Sequence, residues 1–324
     1  MKSGKQKLII ICGPTAVGKT ELSLQIAEGF SCEIVSVDSM QVYRYMDIGT
    51  AKPTRAERER VPHYLIDIVD PDENYTLGRF VADAEAAIRK IASHGNIPLL
   101  VGGTGLYFRG LLEGVFDEQD SAAGDDSAAA EVNNQAIKRD LRRRLEEEGS
   151  PALHRELAAV DPDSAARIHP NDAQRLLRGL EIFYSTGIPW SCHLANQQRK
   201  SERYDTLKVG LSRPRRELYD RIDQRTRLMA DQGLLAEVRK LLAMGYDRKL
   251  KAMQALGYRH ILNFIDGIWD WEETLQMLAR DTRHYAKRQF TWFNNDPQIQ
   301  WHDVREEDTI IAGIKNFLSL NKSS

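Results

Sequence analysis

The sequence predicts an α/β protein, a parallel sheet flanked by helices, that also carries a mostly α-helical insertion. Three observations point there. Short β-branched runs alternate with helix-like stretches over the first hundred residues, the rhythm of strands joined by helical crossovers. A glycine-rich turn closing on Lys19-Thr20 lies between the first run and the first helix. After Gly114 an acidic, Ala/Ser-rich stretch gives way to helix-favouring sequence.

Taken in chain order, Lys7-Leu8-Ile9-Ile10-Ile11 reads as a strand, since an unbroken apolar run suits a sheet covered on both faces. Glu21-Leu22-Ser23-Leu24-Gln25-Ile26-Ala27 follows as a helix, and Glu33-Ile34-Val35-Ser36-Val37 is a second strand. Thr76 is suited to cap a helix in which Phe80, Ala84, Ala87, Ile88 and Ile91 recur at helical spacing, and His94-Gly95-Asn96 ends it. Ile97-Pro98-Leu99-Leu100-Val101 is the third strand. Ile137 to Glu148 favours helix, Thr206 to Leu211 returns the chain to the sheet, and the remainder is largely helical up to a short final strand near Gln298 to His302. The expected organisation is a core from residues 1–112 and 201–324, the latter with C-terminal helices, and a helical insertion over 113–200. No solenoid-type repeat is present.

Composition narrows the class. With 324 residues, 42% hydrophobic, and a net charge of −2 from 45 basic and 47 acidic side chains, the chain is expected to be soluble and globular, with roughly two domains. Disorder as the main state is excluded. The apolar run Leu8 to Cys12 is far shorter than the roughly 20 residues of a bilayer span, so no membrane association is expected. Cys12, Cys32 and Cys192 have neither zinc-type spacing nor the number for a disulfide framework, which suits a reducing cytoplasm. Cys12, inside the first strand, reads as a buried small hydrophobe. Charge is uneven: Gln174 to Arg227 is rich in Lys and Arg, whereas Asp117 to Glu131 is acidic without a base. Such separation accompanies a polyanion-binding face or simply an uneven solvated surface.

Gly13-Pro14-Thr15-Ala16-Val17-Gly18-Lys19-Thr20 fits the P-loop pattern in its required strand-to-helix setting, which makes the core P-loop NTPase-like. Glycines let the backbone turn its amides inward around an anion, the helix N-terminus adds positive potential, and Lys19 supplies a full charge. The Thr20 hydroxyl is suited to Mg²⁺. ATP, GTP and a pyrophosphate leaving group all fit such a cradle.

Ligands of open parallel sheets bind beyond the carboxyl ends of the strands. After the second strand come Asp38-Ser39-Met40-Gln41-Val42-Tyr43, where Asp38 is suited to hold magnesium, to accept a proton from a nucleophile, or merely to cap a turn. After the third come Gly102-Gly103-Thr104-Gly105-Leu106-Tyr107, whose glycines permit close backbone approach and whose Thr104 offers a hydroxyl. Three loops at one sheet edge point to a phosphate-handling active site. An Asn-Lys-Xaa-Asp motif is absent from the sequence, which argues against a GTPase.

These residues resemble the bacterial tRNA dimethylallyltransferase (isopentenylpyrophosphate transferase) family. The likeness spans nearly the whole chain and rests on the three loops above and on five further motifs. These are Asp47-Ile48-Gly49-Thr50-Ala51-Lys52-Pro53, Pro62 to Asp67, Ile168 to Leu176, Ala255 to Arg259, and Ala286-Lys287-Arg288-Gln289-Phe290-Thr291-Trp292-Phe293. The resemblance implies transfer of a dimethylallyl group from dimethylallyl diphosphate to the exocyclic amine of adenosine 37, 3′ of the anticodon, with Mg²⁺ as cofactor. The P-loop would then hold a lipid diphosphate rather than ATP. Asp38 would be the general base, Thr104 would stabilise the departing diphosphate or the nucleotide beside it, and Arg225 would contact the diphosphate. Asp38, Ser39, Met40, Gln41 and Thr104 would meet the extruded adenine and its neighbours. Gln174, Arg175, Leu176, Leu177 and Arg178 would touch the anticodon stem-loop.

Arg175 and Arg178 lie three apart, on one helical face suited to phosphate or base contacts, or equally on a solvated surface. Lys287-Arg288-Gln289 suits RNA backbone contacts or packing on the core, and Trp292, Phe293 and Trp301 suit base stacking or a core anchoring the last helix. His63, His169 and His193 lack metal-ligand spacing. Gly105 and Arg259 read as positions open to variation. A monomer is expected. The alternatives are a prenyltransferase of free adenosine phosphates, a P-loop kinase or NTPase, and a non-catalytic RNA-binding protein.

Overall fold

The computed structural model describes residues 5–114, 127–198 and 203–319. The chain forms two compact units, Met1–Leu112 with Arg203–Ser324, and Glu113–Glu202. Residues 115–126, most of the acidic stretch singled out above, lie outside the described residues.

In chain order the first part comprises β1 (Lys7–Cys12), α1 (Lys19–Phe30), β2 (Cys32–Val37), α2 (Arg55–Arg60), β3 (His63–Tyr64), α3 (Leu77–Ser93), β4 (Ile97–Gly102) and α4 (Gly105–Glu113). Five helices follow: α5 (Ser127–Glu148), α6 (Ser150–Val160), α7 (Pro162–Arg167), α8 (Ala173–Thr186) and α9 (Trp190–Gln198). The chain then continues through β5 (Asp205–Ser212), α10 (Arg215–Asp231), α11 (Leu234–Ala243), α12 (Tyr258–Ile265), α13 (Trp271–Phe293), β6 (Gln300–Asp303) and α14 (Glu307–Ser319).

Among the described residues six strands form one sheet in the order β3-β2-β4-β1-β5-β6, every pairing parallel. Central β1 explains its apolar run, because Leu8, Ile9 and Ile11 are wholly buried between helices on both faces. The Thr76 hydroxyl accepts the Arg79 N–H and starts α3, whose buried face carries Phe80, Ala84, Ala87, Ile88 and Ile91. Two features differ from the sequence reading. The two-residue edge strand β3 lacks a β-branched run and escaped the pattern, and α14 follows the strand expected to be last, docking Ile310 and Ile314 on the core.

The helical unit has its own core, in which Leu141, Leu153, Leu157, Leu176 and Leu180 are fully or almost fully buried. Asp161, itself buried, takes the N–H groups of Ser164 and Ser191 and so fastens the starts of α7 and α9. No helix among the described residues is long and apolar enough to cross a membrane.

Candidate active site

All parallel strands end on one edge of the sheet, and there the loops after β1, β2 and β4 meet residues from α10 and α13 around a cavity of about 670 Å³. The P-loop begins with a left-handed Gly13, where an added Cβ would meet the Leu211 carbonyl oxygen at 2.7 Å. Lys19, the first residue of α1, donates from Nζ to the carbonyls of Gly13 and Pro14 at 2.9 and 2.8 Å. Burial, and then the neighbouring Arg225 charge, push its ammonium down to about 8, with Asp38 opposing.

Three arginines donate to successive P-loop residues. Arg225 Nη1 reaches Thr15 Oγ1 at 3.1 Å, Arg221 Nε reaches the Ala16 carbonyl at 2.9 Å, and Arg213 Nε reaches the Val17 carbonyl at 2.7 Å. Arg225 is held below its ordinary pKa, mainly by burial; Asp38 favours its charge and Arg221 opposes it.

Asp38 follows β2 and closes a turn, its Oδ1 accepting the N–H groups of Met40 at 2.8 Å and Gln41 at 3.3 Å. Thr104 follows β4; its N–H donates to the Val37 carbonyl and its Oγ1 accepts the Ser39 N–H, each at 3.2 Å. Asp38, Lys19, Thr20 and Arg225 share the cavity wall with Thr15, Ala16, Gly18 and Gln41. Thr104 is not among the lining residues; it reaches the wall through Ser39, next to Asp38.

Two α13 residues complete the wall. Buried Gln289 accepts the Thr15 N–H at 2.8 Å and donates to the Gly103 carbonyl at 2.9 Å, tying P-loop to glycine loop. Of the two readings open for Gln289, packing on the core is the one its contacts fit, because both ends of its amide are used inside the core unit. Tyr285 also lines the cavity, its phenol raised in pKa by burial and by the Asp38 charge. Gln289 lies in the Ala286 to Phe293 motif but Tyr285 is marked by none, and the proximity of both to the P-loop is a product of the fold. The glycine loop explains itself on the same grounds. A Cβ would approach Gln289 Nε2 at 2.1 Å from Gly103 and Trp292 Cδ1 at 2.0 Å from Gly105. A side chain at Gly105 therefore requires the Trp292 ring to move aside.

The remaining expectations resolve individually. Cys12 is buried, and burial pushes its thiol up to about 12. His63 lines the cavity with its Nδ1 2.7 Å from the Val61 carbonyl, and burial lowers its pKa. Phe293 is buried edge-on to Phe108, Trp301 packs on Phe290, and Trp292 covers the Gly105 side of the loop. In the helical unit Gln174 and Arg175 are exposed, but Leu176 is wholly buried. Leu176 is a correction: α8 turns it into the core of its own unit, where no RNA can touch it.

Comparison with known proteins finds one family. The "IPP transferase" family model matches residues 41–296, and an "Isopentenyl transferase" model matches residues 6–75. The chain is 49% identical to the tRNA dimethylallyltransferase 2 of Geotalea uraniireducens over 95% of its own length and 96% of that protein. Its structure resembles the full-length tRNA isopentenylpyrophosphate transferase of Bacillus halodurans, with 38% identity, TM-score 0.69 and 97% of each chain covered. It also resembles a eukaryotic dimethylallyltransferase acting on tRNA, with 30% identity, TM-score 0.81, and 97% of this chain and 80% of that one covered.

Proposed function

The chain belongs to the IPP transferase family, and we propose that this prenyltransferase moves a dimethylallyl group from dimethylallyl diphosphate to N6 of adenosine 37 in tRNAs that read codons starting with U. The observation that carries the reading is a carboxylate, Asp38, sharing one cavity wall with Lys19 of the P-loop and Arg225 of α10.

In the reaction the allylic C–O bond breaks, its electron pair leaves with the diphosphate, the amine nitrogen forms the new C–N bond, and one N–H proton departs. Lys19 and Arg225, at the P-loop and the start of α1, take up the charge gathering on the diphosphate, which is where the barrier falls most. The exposed Thr20 hydroxyl on that wall would be the protein oxygen offered to Mg²⁺, which takes few protein oxygens and fills the rest of its shell from phosphates and water. When bound, Mg²⁺ supplies further positive charge to the leaving group. Asp38 Oδ1 is occupied by two backbone amides, so Oδ2 orients the amine and accepts its proton. Thr104, whose oxygen accepts the Ser39 N–H and whose hydroxyl meets the Tyr285 phenol, supports the Asp38 loop from behind the cavity wall. The adenine must leave its stack to reach this site, at little cost in an unpaired loop. We assign the grip on the anticodon stem-loop to the helical unit, through Gln174, Arg175, Leu177 and Arg178, in a monomer working in the cytoplasm.

The test is to incubate the protein with Mg²⁺, dimethylallyl diphosphate and either unmodified tRNA or AMP, and then to analyse nucleosides by mass spectrometry. Prenylated adenosine is expected from tRNA alone, and Asp38→Ala is expected to remove that product while retaining donor binding. Product from AMP alone overturns the tRNA reading; no product from either overturns prenyl transfer.

A further inference from the structure

The loop Asp47 to Lys52 supplies Thr50 and Ala51 to the cavity wall, and its own turn hydrogen bonds, from the Ala51 N–H to the Ile48 carbonyl and from the Lys52 N–H to the Asp47 carbonyl, each at 3.0 Å, are supplemented by a clamp from far along the chain. Glu237, on α11, accepts three consecutive backbone N–H groups: Asp47 at 2.9 Å and Ile48 at 2.8 Å on Oε2, and Gly49 at 3.1 Å on Oε1. The Tyr258 hydroxyl, at the start of α12, donates to the same Oε1 at 2.7 Å. A Cβ at Gly49 would lie 2.5 Å from the Tyr258 ring, so the loop is pressed directly against its clamp. The far end of the loop is pinned separately. Buried Lys52 donates to the Tyr43 carbonyl and forms ion pairs with Asp47 at 2.7 Å and Asp67 at 2.6 Å.

What the clamped loop presents is a pair of carbonyls. Gln41 Nε2 donates to Thr50 O at 3.4 Å and Ala51 O at 3.3 Å, which leaves its Oε1 to accept the Ser36 hydroxyl at 3.0 Å. The Gln41 backbone N–H in turn donates to Asp38 Oδ1. A charged acceptor shared by four donors is geometrically demanding, and the order of contacts runs from Glu237 through the loop to Gln41 and Asp38.

We propose that Glu237, assisted by Tyr258, is a positioning residue for prenyl transfer, setting through the Asp47–Lys52 loop and Gln41 the direction in which the Asp38 carboxylate faces the acceptor amine. The proposal rests on the reading of Asp38 as the group that receives the amine proton. Glu237 touches neither substrate, so its effect belongs in the chemical step and not in donor binding.

The experiment is single-turnover transfer to tRNA at saturating dimethylallyl diphosphate, where the rate constant does not depend on the fraction of protein correctly folded. Wild-type transfer is measured first; its absence would overturn the functional reading itself, independently of Glu237. Glu237→Gln places an amide N–H₂ against backbone donors and is expected to slow the step about tenfold with donor KM within about twofold of wild type. Tyr258→Phe, which removes one donor and keeps the ring against Gly49, is expected to slow it less. In a Gln41→Ala background, Glu237→Gln should add less than about a twofold further loss, the non-additivity of residues acting in one chain. An unchanged rate constant in Glu237→Gln, a rise in donor KM matching the loss, or full additivity with Gln41→Ala overturns the proposal.

Discussion

Lys19 shows how far a single residue is shaped by its surroundings. Its position in the P-loop pattern is plain from sequence, but its acidity is not, because burial and the Arg225 charge that bring its ammonium to about 8 arise only when α10 folds over the loop. The sign of the consequence follows. Below pH 8 Lys19 already carries its proton and meets the diphosphate charged; above pH 8 it must first take one up, and binding is penalised. Phosphate-type second ionisations lie near about 6, so the donor adds no break of its own there. The Kd of dimethylallyl diphosphate, followed by titration calorimetry, should stay flat up to about pH 8 and then rise towards tenfold per pH unit. Lys19→Met should bind weakly throughout and lose the break, and a break surviving that substitution would remove Lys19 from the cradle.

At the scale of elements, sequence and structure part company where contacts are long-range. The strands β1, β2, β4 and β5, the P-loop and the Asp38 and Thr104 loops were legible because each is a local pattern: an apolar run, a glycine spacing, a polar residue after a strand. Edge strand β3 was not, since the two residues His63 and Tyr64 that pair with β2 are too short a run to carry a strand pattern. Nor was the bridge made by Gln289, whose two partners lie at the far end of the chain. The glycines record the same distinction. A Cβ at Gly102 would stand 2.0 Å from the Val37 carbonyl oxygen on the paired strand, a backbone atom that the sheet register prevents from moving aside. Gly29, at the exposed end of α1, has nothing within 4 Å. Gly102→Ala should therefore destabilise the core unit by about 2–3 kcal/mol as overpacking does, and Gly29→Ala should stabilise it by about 0.4–1 kcal/mol through the unfolded chain. Calorimetric unfolding of the two variants checks both signs; similar Tm shifts would mean that the β2–β4 approach is not tight.

For the whole molecule, a net charge of −2 offers no general field to draw RNA in, so affinity for a polyanion has to come from local cations. Within the helical unit the residues assigned to that task differ in what already holds them. Arg175 is exposed, and its ion pair with Asp172 at 3.2 Å is of the surface kind that contributes little and gives way readily to a phosphate. Arg178 is tied more closely to its own unit, pairing at 3.1 Å with Glu181, whose side chain is 11% exposed and also meets Lys138 at 2.9 Å. Leu176 between them acts entirely through the core. Arg175→Glu should accordingly raise the tRNA KM and reduce the salt dependence of tRNA binding by about one ion, leaving donor KM and thermal stability as they were. Leu176→Ala should do the reverse, costing about 2–5 kcal/mol in the helical unit and weakening tRNA binding only as far as that unit unfolds. Filter binding across a salt series, set beside unfolding curves for both variants, separates the two effects. If Arg175→Glu left the salt slope unchanged, the α8 face would not be where the RNA backbone lies.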